Sequence, residues 1–235
     1  MTVLLALDSS TESMALALTA PAGTWLHEAE GGPKASEALL PALQALLDQA
    51  GLALAQVDAI GFGRGPGAFT GLRTACAVAQ GLAFGAGKPV LALDSLMLVA
   101  EDARQQSGGD LSECWVVMDA RMGEIYAGAY RHDGQHWQVE NAPALYSPAS
   151  LQALWARTPP RALCGSALAV FEGLSPDPDL PAWPQTRSRA AALAALVGSA
   201  WAQGLGEPAE QAMPLYVRDK VAQTTEERLA ARASA

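Results

Sequence analysis

The sequence predicts an α/β protein built from two related mixed-sheet domains, and three observations carry that reading. Apolar runs of strand length alternate with segments whose apolar residues recur at three- and four-residue steps. Residues 3–18 and 114–130 share one plan, an apolar strand, a turn containing an acid and a second apolar strand, which reads as a duplicated fold. Between them Gln105-Gln106-Ser107-Gly108-Gly109-Asp110 is polar enough for a linker. The domains are therefore placed at 1–105 and 106–223, the second the smaller, with a helix at about 189–203 packing back on the first and a frayed tail over 224–235.

Taken in order, Val3-Leu4-Leu5-Ala6-Leu7 is a strand, Asp8-Ser9-Ser10-Thr11-Glu12-Ser13 a polar tip and 14–18 the returning strand. A third strand over 25–28 precedes the break at Gly31-Gly32-Pro33. From 36 to 51 the period becomes helical, with Leu39, Leu40, Leu43, Leu46 and Leu47 on one side, alanines including Ala42 widening the stripe, and Gly51 where a C-terminal cap belongs. Residues 57–62 form a strand that enters Gly63-Arg64-Gly65-Pro66-Gly67-Ala68-Phe69-Thr70-Gly71-Leu72-Arg73, where glycines permit a sharp turn and Thr70 is expected to cap the next helix. That helix, 72–85, includes Ala75 and Val78 and leaves only Arg73, Thr74 and Gln80 clearly polar. An all-round apolar helix is covered on all sides, by the rest of the chain or by a partner subunit. A strand over 88–93 and a helix over 95–104 complete the first half. In the second, Leu163-Cys164-Gly165-Ser166-Ala167 is a strand entering a turn, 176–184 a proline-rich loop, 189–203 an alanine-rich helix and 214–220 an ordered extended segment.

Composition excludes several classes. Of 235 residues, 50% are hydrophobic and 17% charged, which argues against disorder. A formal charge of −9 argues against a protein that holds nucleic acid by its own field, so any RNA contact is local or borrowed. Without a spanning apolar run or the basic start of a signal peptide, the expected location is the cytoplasm, off the membrane. Cys76, Cys114 and Cys164, odd in number and in apolar contexts, read as buried thiols of a reducing compartment.

Few motifs carry chemistry. Asp8-Ser9-Ser10-Thr11 after a strand resembles the phosphate-gripping hairpin of actin-like and sugar-kinase-like ATPases, in which an acid manages a metal and small residues let backbone N–H groups face phosphate. The usual glycine is absent, and a plain capped turn is the alternative. The glycine loop is not a P-loop, since no Gly-Lys-Ser/Thr follows, although a helix start beside Arg64 and Arg73 has anion-binding potential. His132 and His136 flank Asp133-Gly134, a hairpin turn, so no metal site is expected. Asp119, Arg121 and Glu124 are either an acid–base group or solvated turn charges. Gly165-Ser166-Ala167 is not a nucleophile elbow.

Read together, Leu7-Asp8-Ser9-Ser10-Thr11, Ser36-Glu37-Ala38-Leu39-Leu40-Pro41, the glycine loop, Asp119-Ala120-Arg121-Met122-Gly123-Glu124-Ile125-Tyr126 and Pro214-Leu215-Tyr216-Val217-Arg218 resemble the bacterial TsaB (YeaZ) family along nearly the whole chain. The resemblance implies an actin-like, ribonuclease H-like fold and a part in making N6-threonylcarbamoyladenosine at tRNA position 37. It further implies that TsaD, a paralogue, does the transfer chemistry, that TsaE is an ATPase partner, and that this chain is a non-catalytic platform touching tRNA only through the complex. A homodimer is expected when TsaD is absent. The implied interface draws on the first two helices, with Leu39, Ala42, Leu43, Leu46, Thr70, Arg73, Thr74, Ala75 and Val78 as contact residues. Charged changes such as Ala75→Glu or Leu39→Arg are expected to break it. In TsaD a metal-binding His-x-x-x-His occupies the places of Ser95 and Val99 here, so neither metal nor peptidase chemistry is expected. With Asp8, Ser9, Ser10 and Thr11 as a vestigial nucleotide turn, the expectation is no cofactor of its own, with ATP held weakly or within the complex.

Overall fold

Alternation along the first strand sets the architecture. In Leu4–Asp8 (β1) the side chains of Leu5 and Leu7 enter one core while Leu4 and Ala6 enter another, and Asp8 follows them. The computed structural model of the chain describes residues 2–31 and 35–218, and of Ala35 and Ser36 the backbone alone. The tail beyond 218, the end of the extended segment and the Gly32-Pro33 break lie outside the described residues.

Ser13–Ala20 (β2) and Gly23–Glu30 (β3) continue from β1 as an antiparallel meander, and Ala59–Gly65 (β4) and Val90–Asp94 (β5) add in parallel on its other side. The strand order is β3-β2-β1-β4-β5. Glu113–Asp119 (β6), Ile125–His132 (β7), Trp137–Tyr146 (β8), Leu163–Cys164 (β9) and Ala182–Trp183 (β10) repeat the plan. Their order β10-β9-β6-β7-β8 is the first read from the opposite edge, with the same antiparallel and parallel pairings. This is the ribonuclease H-like arrangement of actin-like folds, duplicated as the two strand-turn-strand segments predicted.

Helices separate and flank the sheets. Ala35–Ala50 (α1) and Phe69–Ala86 (α2) cover the outer face of the first sheet, where Leu5, Leu16 and Phe62 meet Leu39, Leu43 and Ala79. Ser95–Gln106 (α3) and Arg189–Ala202 (α6) lie between the sheets, so that Ala6, Ala17 and Leu93 share one core with Leu193, Val197, Val116 and Tyr130. Pro148–Trp155 (α4) and the short Ala167–Val170 (α5) cover the far side of the second sheet over Val117 and Ile125. The middle layer is rich in alanine, which lets α6 approach β1 and β2 closely.

Three local expectations are corrected. Thr70 does not cap α2. The helix starts at Phe69 with Ala68 as its N-cap and no capping side chain, because the preceding loop delivers the chain two residues early. The glycine loop is partly strand, since β4 runs through Gly65 with a bulge between Gly63 and Gly65. The expected linker is a hydrogen-bonded turn closing α3, in which Arg104 donates to the carbonyls of Gly109 and Leu111. Gly51 follows α1 at φ 66°, as a C-terminal cap requires. All three cysteines are buried and unpaired, and the hydrogen bond with Cys114 together with burial pushes the Cys164 thiol up.

Asp94 joins the two halves. Its Oδ1 accepts from the N–H groups of Leu96 and Met97 at the start of α3, at 2.8 and 3.3 Å, and its Oδ2 accepts from the Tyr130 hydroxyl at 2.8 Å. Burial pushes this carboxyl above the usual range, opposed by those hydrogen bonds and by the Arg64 charge. A folded-state value above the unfolded one stabilises fully below about pH 4, and the contribution is lost as pH rises through the folded value. Asp94→Asn keeps a capping oxygen without the charge. Its melting temperature relative to wild type is expected to rise as the pH is raised above about 4, and a pH-independent difference would contradict this account.

Candidate functional site

The sequence singled out the β1–β2 turn, and the fold brings four distant elements onto it. Asp8 is fully buried at the end of β1. Its Oδ1 accepts from Ser10 N–H at 3.2 Å, Ser10 Oγ at 2.9 Å and Arg189 Nε at 3.0 Å, and its Oδ2 accepts from Ser95 Oγ at 2.9 Å. Ser9 Oγ donates to the carbonyl of Gly71 at 2.8 Å, and the Ser10 carbonyl accepts from Ala68 N–H at 2.7 Å. The glycine loop therefore lies directly on the turn. A Cβ on Gly71 would sit 1.7 Å from Ser9 O, and one on Gly63 1.7 Å from Asp8 Oδ2. These two glycines are required by contact.

Beside the turn is a cleft of about 580 Å³ between the halves, walled by Pro66, Leu72, Leu96, Met118, Tyr126 and Leu215 among others. Its rim charges are matched. Arg121 pairs with Glu12 across the mouth and with Asp119 at 3.2 Å, and Arg218 pairs with Glu124 at 2.7 Å. Arg121 and Met122 take φ of 63° and 57°, with the Arg121 N–H held by Asp119 Oδ1 at 2.8 Å. Of the two readings left open for Asp119, Arg121 and Glu124, each charge here has an ionic partner that braces the turn. The extended segment crosses the cleft: Leu215 N–H donates to Arg64 O at 2.7 Å, and Arg218 to the Ala120 carbonyl at 3.0 Å. Arg73, expected at the partner interface, is held within the chain, its guanidinium 3.8 Å from the Phe69 ring centroid and its Nε donating to Tyr216 Oη at 3.1 Å.

The actin-like fold raises the question of a metal-bound nucleotide at this turn. The donor set does not match one. The Asp8 carboxylate is buried, covered by Gly63 and engaged by a guanidinium, and the Ser10 N–H is turned onto Asp8. Ser95 is also committed to Asp8, and Val99 lies in the middle core at 2% exposure. Among the described residues no group of three or more His, Cys, Asp or Glu is placed to hold a metal ion. His132 and His136 sit in the β7–β8 hairpin around Gly134.

The expected partner residues divide sharply. Leu39, Leu43, Leu46 and Ala75 are 0–3% exposed and belong to this chain's own core, which corrects their assignment as contact residues: the helical stripe they form is the one that packs on the first sheet. Thr70 and Arg73 are exposed, and Ala42, Thr74 and Val78 are half-buried. The open face of α2 continues through Ala77, Gly81, Phe84 and Gly85, with Phe84 75% exposed and no atom near a Cβ placed on Gly81 or Gly85. Of the two coverings expected for this helix, the described chain supplies only the inner one. Leu40 on α1 is exposed as well.

The family model described as TsaD: tRNA N6-adenosine threonylcarbamoyltransferase matches residues 26–175. The Escherichia coli K12 protein named tRNA threonylcarbamoyladenosine biosynthesis protein TsaB is 30% identical over 228 residues, 93% of this chain and 96% of its own. This chain belongs to the TsaB family. The Haemophilus influenzae TsaB is 42% identical over 124 residues, about half of each chain at 52% and 51%. A Pseudomonas aeruginosa crystal structure, described as an uncharacterized protein with similarity to peptidase YeaZ, matches with a TM-score of 0.84 at 37% identity, covering 93% of this chain and 100% of that one. A second from that organism, YeaZ, gives 0.78 at 36% identity over 92% of this chain and 100% of that one. The TsaB fold is thus shared across the described chain.

One site residue escaped the sequence. Arg189 read only as the start of an alanine-rich helix. The available signal was a lone arginine after Ser188 on a helix with no other charge, whose burial requires an acid elsewhere.

Proposed function

We propose that this TsaB-family chain is a non-catalytic subunit of bacterial tRNA threonylcarbamoyladenosine synthesis, activating the TsaD paralogue that carries out the transfer. TsaD docks on the outer face of α1 and α2, TsaE completes the assembly, tRNA is met through the complex, and the chain works in the cytoplasm. Without TsaD, two copies pair through the same face. The observation that carries this reading is the open apolar side of α2 at Ala77, Gly81 and Phe84, next to a turn whose acid is consumed inside the chain. Small residues there permit close helix–helix approach and Phe84 offers an aromatic anchor. No helix among the described residues is long and apolar enough to cross a membrane.

Reconstitution is the test. TsaD and TsaE with unmodified tRNA, threonylcarbamoyl-adenylate and ATP are expected to form modified adenosine readily only when this chain is added. Equal product without it would overturn the proposal.

A further inference from the structure

A densely bonded buried ion pair holds the β1–β2 turn. Arg189 and Asp8 are 5% and 0% exposed in their side chains and lie 181 residues apart in sequence. The guanidinium donates through Nε to Asp8 Oδ1 at 3.0 Å, and through Nη2 to Ser10 Oγ at 2.8 Å and the Ser95 carbonyl at 3.4 Å. Nη2 also lies 3.0 Å from Asp8 Oδ1. Its position is electrostatically adverse, because Arg189 is the first residue of α6 and the helix dipole disfavours a cation there. The rest of that helix start obeys the rule: Glu28 accepts from Ala190 N–H at 2.9 Å and Asp102 from Ser188 N–H at 2.8 Å. A cation set against the dipole and out of water is held by Asp8.

We infer that Arg189 is a permanent internal cation of the β1–β2 turn, filling the place beside Asp8, Ser10 and Ser95 that a divalent ion would need. The two are mutually exclusive. A divalent cation on Asp8 would lie within a few ångströms of the guanidinium in a water-poor site, where like charges repel strongly. In place of a ligand the turn binds a helix: Arg189 clamps α6, and with it the middle layer, onto the end of β1. Removing the side chain leaves a buried carboxylate flanked by two hydroxyls, a set of hard oxygen donors suited to Mg²⁺ or Mn²⁺.

The test uses the whole chain and Mn²⁺ alone, independent of any partner. In wild type, Mn²⁺ up to millimolar concentration is expected to leave the amide resonances of Ser9, Ser10 and Gly63 unbroadened. Arg189→Ala is expected to lower the melting temperature by about 10 °C, to bind Mn²⁺ with broadening of those same resonances, and to recover part of the loss on binding. Asp8→Asn added to Arg189→Ala should abolish the Mn²⁺ effect. Arg189→Lys retains a cation and, should the alanine variant not fold, must stay as blind to Mn²⁺ as wild type. Broadening at Ser9 and Ser10 in wild type or in Arg189→Lys would overturn the inference. So would an alanine variant of unchanged stability, or one that loses stability yet takes up no Mn²⁺.

Discussion

Phe84→Asp combined with Ala77→Arg is expected to abolish pairing with TsaD and between copies of this chain while leaving the fold intact. Phe84 is 75% exposed and Ala77 is on the same outer side of α2, so neither change disturbs the chain's own core. Surface substitutions of this kind move stability by only about 0.5 kcal/mol. Loss of an aromatic anchor and burial of two charges in a small-residue contact costs about 2–4 kcal/mol or more of binding, at least 30-fold in affinity. Sizing, pull-down and a melting curve check both halves. An unchanged complex would remove α2 from the interface. Ala75→Glu and Leu39→Arg, the variants suggested by sequence, cannot make this test, because both residues are fully buried in the monomer core and a charge there unfolds the chain.

Gly71→Ala is expected to cost about 3 kcal/mol of stability or more, a fall of roughly 6–12 °C in melting temperature. The added methyl would start 1.7 Å from the Ser9 carbonyl, and the obstacle is backbone, on a residue whose hydroxyl is itself bonded to the Gly71 carbonyl, so relief requires α2 to move away from the turn. Gly81→Ala in the same helix provides the contrast, since its Cβ meets nothing within 4 Å. There the usual helix preference for alanine applies, giving a gain of about 1 kcal/mol, or roughly 2–4 °C. Equal responses from the two variants would show that the close approach of loop and turn is not real. Since α2 carries the proposed docking face, the tight contact also sets where that face points.

Much of the fold was legible because it is written in local periods. Both strand-turn-strand segments, the helical stripe on α1 and the span of α6 follow from patterns within a dozen or so residues. The misses have physical causes. β8 is a sheet edge containing Pro143 and pairs irregularly with β7, so it lacks the alternation of a buried strand. β10 is two residues inside a proline-rich loop. The site was half legible. Asp8, Ser9 and Ser10 stood out as a turn after a strand, and Arg73 as a polar residue on an apolar helix, while the partners of both came from residues 189 and 216.

The sequence by itself determined that there are two copies of one strand plan, that α1 and α2 carry more apolar surface than a single stripe, and that the turn after β1 departs from a phosphate grip. Tertiary structure decided which side of each helix is spent on the chain's own core. It placed Leu39, Leu43, Leu46 and Ala75 inside and left Ala77 and Phe84 outside. It also decided that the acid of the turn is answered by Arg189. A period states that a helix has faces, but which face is buried depends on the sheet it lands on, and the charge that neutralises a buried acid can come from anywhere the fold brings within 3 Å.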